Sequence, residues 1–169
     1  DVYVVGGFVR DMILKRPTTD IDLMVEGDGI AFARKFADRL GLDHIVTYDK
    51  FGTALLPLCG CQIEVATART ETYSPDSRKP DVTPGTVESD MSRRDFTVNA
   101  LAVSLMPDSF GELVDPFGGI RDLAEGILIT PLDPDDTFSD DPLRMLRAAR
   151  FAAQLNFEIV PECLESIKR

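Results

Sequence analysis

Asp20-Ile21-Asp22 sets two carboxylates two residues apart at the start of Asp20–Glu26, where acidic and apolar residues alternate as on a strand. On a strand, residues i and i+2 share a face. The two acids therefore project together, about 6.5 Å apart at Cα, while Ile21, Leu23 and Val25 turn to the core. Such hard oxygen donors suit Mg²⁺, usually held by one or two carboxylates plus substrate phosphates. Alone, the pattern is also what two solvated acids on an exposed strand would give. Glu64, in Gln62-Ile63-Glu64-Val65-Ala66, is a candidate third acid, to deprotonate an attacking hydroxyl or bind a second metal. It reads equally as a solvent-facing residue.

Gly6-Gly7-Phe8-Val9-Arg10-Asp11 offers complementary chemistry. Glycines let backbone N–H groups approach a phosphate, and a helix N-terminus favours anions. Arg10, one turn in, could pair with a phosphate. By itself this is an ordinary strand-to-helix turn. One short helix ahead of a metal-binding pair, it is what triphosphate chemistry needs.

Two further groups stand in Arg93-Arg94-Asp95-Phe96-Thr97-Val98-Asn99-Ala100 and Asp140-Asp141-Pro142-Leu143-Arg144-Met145-Leu146-Arg147-Ala148-Ala149-Arg150. Arg94, Asp95 and Asn99 could fix a sugar hydroxyl and a phosphate, although the chemistry alone favours Asp95 as a helix cap. Arg144, Arg147 and Arg150 follow an i+3 ridge. Asp141 and Arg144 together present an acceptor and a rigid fork of donors, able to read a base edge. Read without function, they are a capping Asp and a solvated Arg face.

The elements that must position these groups follow from pattern. Strands are expected at Val2–Val5, Asp20–Glu26, His44–Tyr48, Thr53–Leu58, Gln62–Thr67 and Ile127–Thr130. Helices are expected at Phe8–Leu14, from Asp28 or Gly29 to Leu40, at Phe96–Leu105 with Asp95 as cap, at Gly118–Gly126, at Pro142–Leu155 capped by Asp141, and from Pro161. Arg69–Gly85, with Pro75, Pro80 and Pro84, reads as a long loop, and Pro131–Ser139 as acidic turns. Strands first and helices later predict an α+β domain passing into a helical one near residue 130. The start without Met and the end within a helix lead us to expect a piece of a longer protein.

Composition narrows the field. The 169 residues carry 18 basic and 29 acidic side chains, net charge −11, with 44% hydrophobic residues, an ordinary globular balance. No apolar run approaches the ~20 residues of a transmembrane helix and no signal peptide is evident, so no membrane and a cytoplasmic location are expected. Three cysteines (Cys59, Cys61, Cys163) and one histidine (His44) argue against a disulfide framework, a zinc site and a histidine triad. The acidic balance by itself puts nucleic acid low among partners.

Taken together, Gly6–Asp11, Asp20-Ile21-Asp22, Arg93–Ala100, Asp115-Pro116-Phe117-Gly118-Gly119 and Asp141-Pro142-Leu143-Arg144 with Arg147 and Arg150 resemble the class II tRNA nucleotidyltransferases (CCA-adding enzymes) and bacterial poly(A) polymerases, in the polymerase β-like superfamily. Each motif is weak or moderate alone; five in family order and spacing are specific, and they span nearly the whole chain. The resemblance implies a nucleotidyltransferase head with a mixed, roughly five-stranded sheet flanked by helices over residues 1–130. Residues 131–169 would begin an all-α neck. It implies Asp20 and Asp22 as Mg²⁺ ligands, Gly6, Gly7 and Arg10 at the triphosphate, and Arg94 and Asp95 at the ribose with Asn99 nearby. Asp141 and Arg144 would read the base, with Arg147 and Arg150 close to the nucleotide. It implies ATP and CTP as substrates and a tRNA or other RNA 3′ end as acceptor, gripped mainly by later domains. Addition of A residues to generic RNA is the nearest alternative, and a catalytically inactive nucleotide- or metal-binding regulatory module is the alternative of another class. One departure is Asp140, where the family commonly has Glu.

Overall fold

The computed structural model describes residues 1–58, 60–74 and 77–169, and for 72–74 and 77–81 the backbone alone. Strand β1 (Val2–Val5) runs into helix α1 (Gly7–Ile13), then β2 (Asp20–Val25), α2 (Gly29–Leu40), β3 (Val46–Tyr48), β4 (Thr53–Leu58) and β5 (Cys61–Thr67). A ribbon of β6 (Arg69–Ser74) and β7 (Ser77–Pro84) leads to α3 (Val87–Ser92), β8 (Ala102–Ser104) and β9 (Leu113–Val114). The chain continues through α4 (Gly119–Glu125), β10 (Ile127–Leu128), α5 (Pro134–Asp140), α6 (Leu143–Leu155), β11 (Glu158–Ile159) and α7 (Pro161–Lys168).

The main sheet has the order β3-β4-β5-β2-β1-β8-β9, with β2 and β5 parallel and the other neighbours antiparallel. It is therefore mixed, as expected, and wider than five strands, because short β3 and β9 extend its two edges. One face is apolar: Val4, Leu23, Val25, Ala54, Leu56, Ile63 and Val65 join Ala33 and Ala37 of α2 in a core that runs on through Phe96, Leu123, Phe138, Ala148 and Phe151. On the other face Val5, Met24, Ala68, Met91 and Ala102 form a smaller cluster, which leaves Asp20, Asp22 and Glu64 beside it uncovered. Alternation of side chains on β2 and β5 produces this division.

Helix α2 matches its expected signals: the Asp28 carboxylate accepts from Ala31 N–H, and Gly41 closes the helix in the left-handed region. At α6 the Asp141 carboxylate accepts from Leu143 N–H at 3.1 Å, so the expected cap is present although the helix is assigned from Leu143.

Four readings change. Phe96–Leu105 is not a helix: a single 3₁₀ turn at Thr97–Asn99 gives way to β8, which pairs with Val5–Tyr3 of β1. The tertiary pairing of Ala102, Val103 and Ser104 outweighs the local helical pattern, and Asp95 consequently caps no α-helix. Arg69–Gly85 forms the β6–β7 ribbon rather than a loop. Both of its strands are edges, so Pro80 and Pro84 cost little pairing; Pro75, like Cys59, falls outside the described residues. Pro131–Ser139 contains α5, with Asp133 capping and Pro134 at its first position. Ile127–Thr130 shortens to β10 and pairs with β11 outside the main sheet.

Candidate active site

The N-terminal turn is built around Gly6, whose φ is +70°. The left-handed backbone is what favours glycine there; a Cβ would also lie 2.7 Å from Arg94 Nη1, so any side chain would displace that guanidinium. Gly7 opens α1. Arg10, 5% exposed, donates through Nε and Nη2 to both Asp11 oxygens (2.9 and 2.8 Å) and through Nη1 to Asn99 Oδ1 (2.6 Å).

Asp20 and Asp22 share a face of β2, and parallel register sets Asp22 directly beside Glu64, about 4.8 Å away between strands. Burial, then the Glu64 charge, with a further contribution from Asp20, pushes the Asp22 carboxyl up, while Arg94 opposes. Three acids thus meet with incomplete compensation, and a divalent cation would relieve their repulsion. Among the described residues no three or more His, Cys, Asp or Glu side chains form a metal cage. A two-carboxylate donor set completed by substrate phosphates fits this arrangement.

The opposite wall is basic and braced. Asp90, 2% exposed, accepts from Arg93 through Oδ1 (3.1 Å to Nε, 2.6 Å to Nη2) and from Arg94 through Oδ2 (3.3 Å to Nε, 3.0 Å to Nη2). Arg94 Nη1 reaches the Asn99 carbonyl at 3.4 Å. Asp95 Oδ1 accepts from Phe96 N–H (2.8 Å) and Asn99 Nδ2 (3.0 Å), and Oδ2 from Arg147 Nε (2.6 Å). Asp95, Asn99 and Arg10 are therefore linked in one chain of hydrogen bonds, held from α6 by Arg147.

Helix α6 supplies the roof. Arg144 is buried, donating to the Thr137 carbonyl (3.1 Å) and the Arg93 carbonyl (2.7 Å). The expected solvated Arg face is thus only partly present: Arg147 and Arg150 are exposed, Arg144 is not. Arg10, Arg147 and Arg150 converge on the Phe151 ring, with guanidinium carbons 5.2, 5.2 and 4.7 Å from its centroid. Below, Asp115 accepts from Gly119 and Ile120 N–H at the start of α4, and Thr97 Oγ1 donates to Asp122 at 2.6 Å. The Asp115 bonds cap α4, and the Thr97–Asp122 bond ties it to the Thr97–Asn99 turn.

A cleft of about 840 Å³ is lined by Gly7, Arg10, Asp20, Asp22, Glu64, Arg94, Asp95, Asn99, Asp141, Arg144, Arg147 and Arg150. Every site residue expected from sequence faces it except Gly6, which lies behind Arg94. His44 is exposed and takes no part in the cleft lining.

Residues 2–129 match the family described as the poly(A) polymerase head domain. The chain belongs to that family. Among curated relatives, an A-adding tRNA nucleotidyltransferase of Aquifex aeolicus is 44% identical over 93% of this chain and 19% of its own length. A CCA-adding enzyme of Anoxybacillus flavithermus is 38% identical over 100% of this chain and 41% of its own. A solved tRNA nucleotidyltransferase complexed with a primer tRNA and an incoming ATP analog superposes with TM-score 0.86 at 38% identity, over 99% of this chain and 45% of that one. The chain thus spans less than half the length of these relatives. Among the described residues no helix is long and apolar enough to cross a membrane.

The sequence reading of this head domain missed three residues. Asp90 was detectable, three and four positions before Arg93 and Arg94, the spacing of helical ion pairs. Asp11 is adjacent in sequence to Arg10. Phe151 carried no polar signal; it reads as core, and only folding brings Arg10 to its ring.

Proposed function

We propose that the chain is the catalytic head, residues 1–130, and the start of the neck, residues 131–169, of a template-independent nucleotidyltransferase that adds nucleotides from CTP and ATP to tRNA 3′ ends. The observation that carries this is the single cleft in which Asp20, Asp22 and Glu64 face Arg10, Arg94, Asp95 and Asn99, under Asp141, Arg144, Arg147 and Arg150 from the neck. The CTP- and ATP-analog-bound neighbours support the same reading.

The primer 3′-hydroxyl attacks the α-phosphate in line; the new P–O bond forms as the α–β anhydride breaks and pyrophosphate leaves. Asp20 and Asp22 would hold Mg²⁺, which supplies Lewis-acid stabilisation of charge on the phosphates. Glu64 takes the hydroxyl proton. Gly6, Gly7 and Arg10 receive the triphosphate, Arg94 and Asp95 the ribose with Asn99 in support, and Arg147 and Arg150 flank the nucleotide. Positioning and fixed charge supply most of the acceleration.

Incubation of the intact protein with ATP, CTP and a tRNA lacking its 3′ end is expected to give discrete addition, with little extension of a generic RNA primer. Long A tracts on generic RNA would identify a poly(A) polymerase. The A-adding relatives favour a second reading, in which A alone is added. C incorporation from CTP into a tRNA lacking all three terminal nucleotides tests it: an enzyme that adds A alone leaves that tRNA unextended and extends only tRNA already ending in CC.

Asp141 and Arg144 read the incoming base: among the described residues, Asp141 keeps one carboxylate oxygen beyond its capping bond, and Arg144 keeps Nε–H beyond its two carbonyl bonds. Arg144→Ala is expected to change the ATP/CTP ratio of incorporation about tenfold, the size of a lost base-edge pair. Competition kinetics measure this ratio. Equal loss for both nucleotides would make Arg144 a purely structural anchor of the neck.

A further inference from the structure

The order of strands lays the parts of the proposed reaction along a line. β1 delivers Gly6-Gly7, β2 carries Asp20 and Asp22, β5 carries Glu64, and β4 and β3 lie beyond. Attacking and leaving oxygens stand on opposite sides of a phosphorus undergoing in-line displacement. With pyrophosphate at Gly6-Gly7 and Arg10, the 3′-hydroxyl must arrive from the Glu64 side.

That side carries a recess of about 400 Å³ lined by Tyr48, Phe51, Thr53, Leu55, Glu64 and Arg69. Register sets Leu55 opposite Glu64 and Tyr48 opposite Thr53, so these side chains share the face of the carboxylates. Thr53, Glu64 and Arg69 line the cleft as well, which makes recess and cleft continuous. Tyr48 and Phe51 are 49% and 59% exposed, and both open onto this one recess, so their aromatic faces are available for stacking. They are also held in place. Phe51 ends a 3₁₀ turn closed by Gly52, and the Gly52 carbonyl accepts from Thr67 N–H of β5 at 2.9 Å. Arg69 pairs with Glu71 at 2.7 Å, while its buried Nε–H has no hydrogen-bond acceptor among the described residues.

We propose that this recess seats the 3′-terminal nucleotide of the RNA primer, its base stacked on Phe51 and Tyr48 and its phosphate beside Arg69. The proposal rests on the reading of the cleft as a nucleotidyl-transfer site. Stacking suits this chain: a surface with net charge −11 repels phosphates at long range, whereas aromatic faces hold any base irrespective of sequence. It also aims the terminal ribose at Glu64.

The test is Tyr48→Ala/Phe51→Ala in the intact protein. Both side chains are exposed, so folding is not at stake. KM for the primer is expected to rise roughly tenfold, the loss typical of one stacked base, with KM for ATP and CTP unchanged. Phe51→Tyr restores primer KM and Phe51→Leu does not, which separates stacking from bulk. A second readout needs no turnover: a primer with 2-aminopurine as its 3′-terminal base is quenched on binding the parent and not the double variant. Unchanged primer KM, or quenching that survives the double substitution, overturns the proposal. A parent that quenches the probe yet transfers no nucleotide overturns the catalytic reading instead and leaves the recess a base-binding site.

Discussion

Asp22→Asn is expected to yield a protein that folds at least as well as the parent and transfers nucleotide on the order of 10³-fold more slowly, the scale of losing a centre of transition-state charge stabilisation. The two effects have one cause. Asp22 lies partly buried beside Glu64 and Asp20, and its carboxyl is pushed up by burial first and by those charges next. A folded-state pKa above the unfolded value means that folding favours the protonated acid. Ionisation of Asp22 therefore costs stability, and the cost grows as pH rises from the unfolded value of roughly 3.9 through the folded one. The isosteric amide removes that cost at neutral pH. Thermal melting at pH 7 is expected to show a higher midpoint for the variant, and the gain disappears in acid, where the parent carboxyl is protonated too. A lower midpoint with full activity would remove Asp22 from the site and assign it to the fold. Such opposed changes in stability and rate are the usual mark of a strained functional group.

The sequence was most legible where local pattern and tertiary role agree. Val2–Val5 and Thr53–Leu58 occupy their expected ranges because β-branched and aliphatic runs, stopped by Gly6 and Gly60, had no competing assignment. The Asp20/Asp22 face followed from strand parity alone. Legibility failed where distant partners decide. Ala102–Ser104 is a strand because β1 needs a neighbour, and that pairing spans about a hundred residues of sequence. The same distance hid the Asp95–Arg147 and Arg10–Asn99 bonds, since spacing along one element says nothing of contacts between elements. Arg144 shows the limit differently. Its i+3 ridge with Arg147 and Arg150 lines the cleft, but one slot of that ridge is buried, where two backbone carbonyls replace solvent. Bulk charge says least about the cleft. The net −11 weighs against phosphate ligands only if charge is spread evenly, and here the arginines are gathered on one wall while three acids hold the other.

Asp90→Asn is expected to lower stability and activity together, in contrast to Asp22→Asn. Burial alone would raise the Asp90 carboxyl, yet the Arg94 and Arg93 charges and their hydrogen bonds hold it below the usual carboxylate range. Its ionised form is thus the form that folding favours. That contribution is fully present above the unfolded value of roughly 3.9 and is lost as pH falls through the lower folded value. Breaking a fully buried ion pair costs about 3–5 kcal/mol. The guanidinium side chains here are 24% and 22% exposed, so solvent screening reduces the expected loss to about 2–3 kcal/mol. For a chain of this size that is roughly 4–12 °C in melting midpoint. The functional consequence follows from Arg94. Its only direct ion pair among the described residues is with Asp90, Asp22 acting on it at longer range, and its other bond, to the Asn99 carbonyl, is long at 3.4 Å. Freed from Asp90, the guanidinium swings away from Gly6 and from the ribose position, so the KM for nucleotide rises, while Asp20, Asp22 and Glu64 stay where the sheet holds them. Melting curves from pH 7 down to pH 3 should therefore converge for parent and variant, and nucleotide KM at pH 7 should diverge. Equal midpoints at pH 7 would show that the double ion pair is not what fixes α3 against the cleft, and an unchanged KM would show that Arg94 reaches the nucleotide without it.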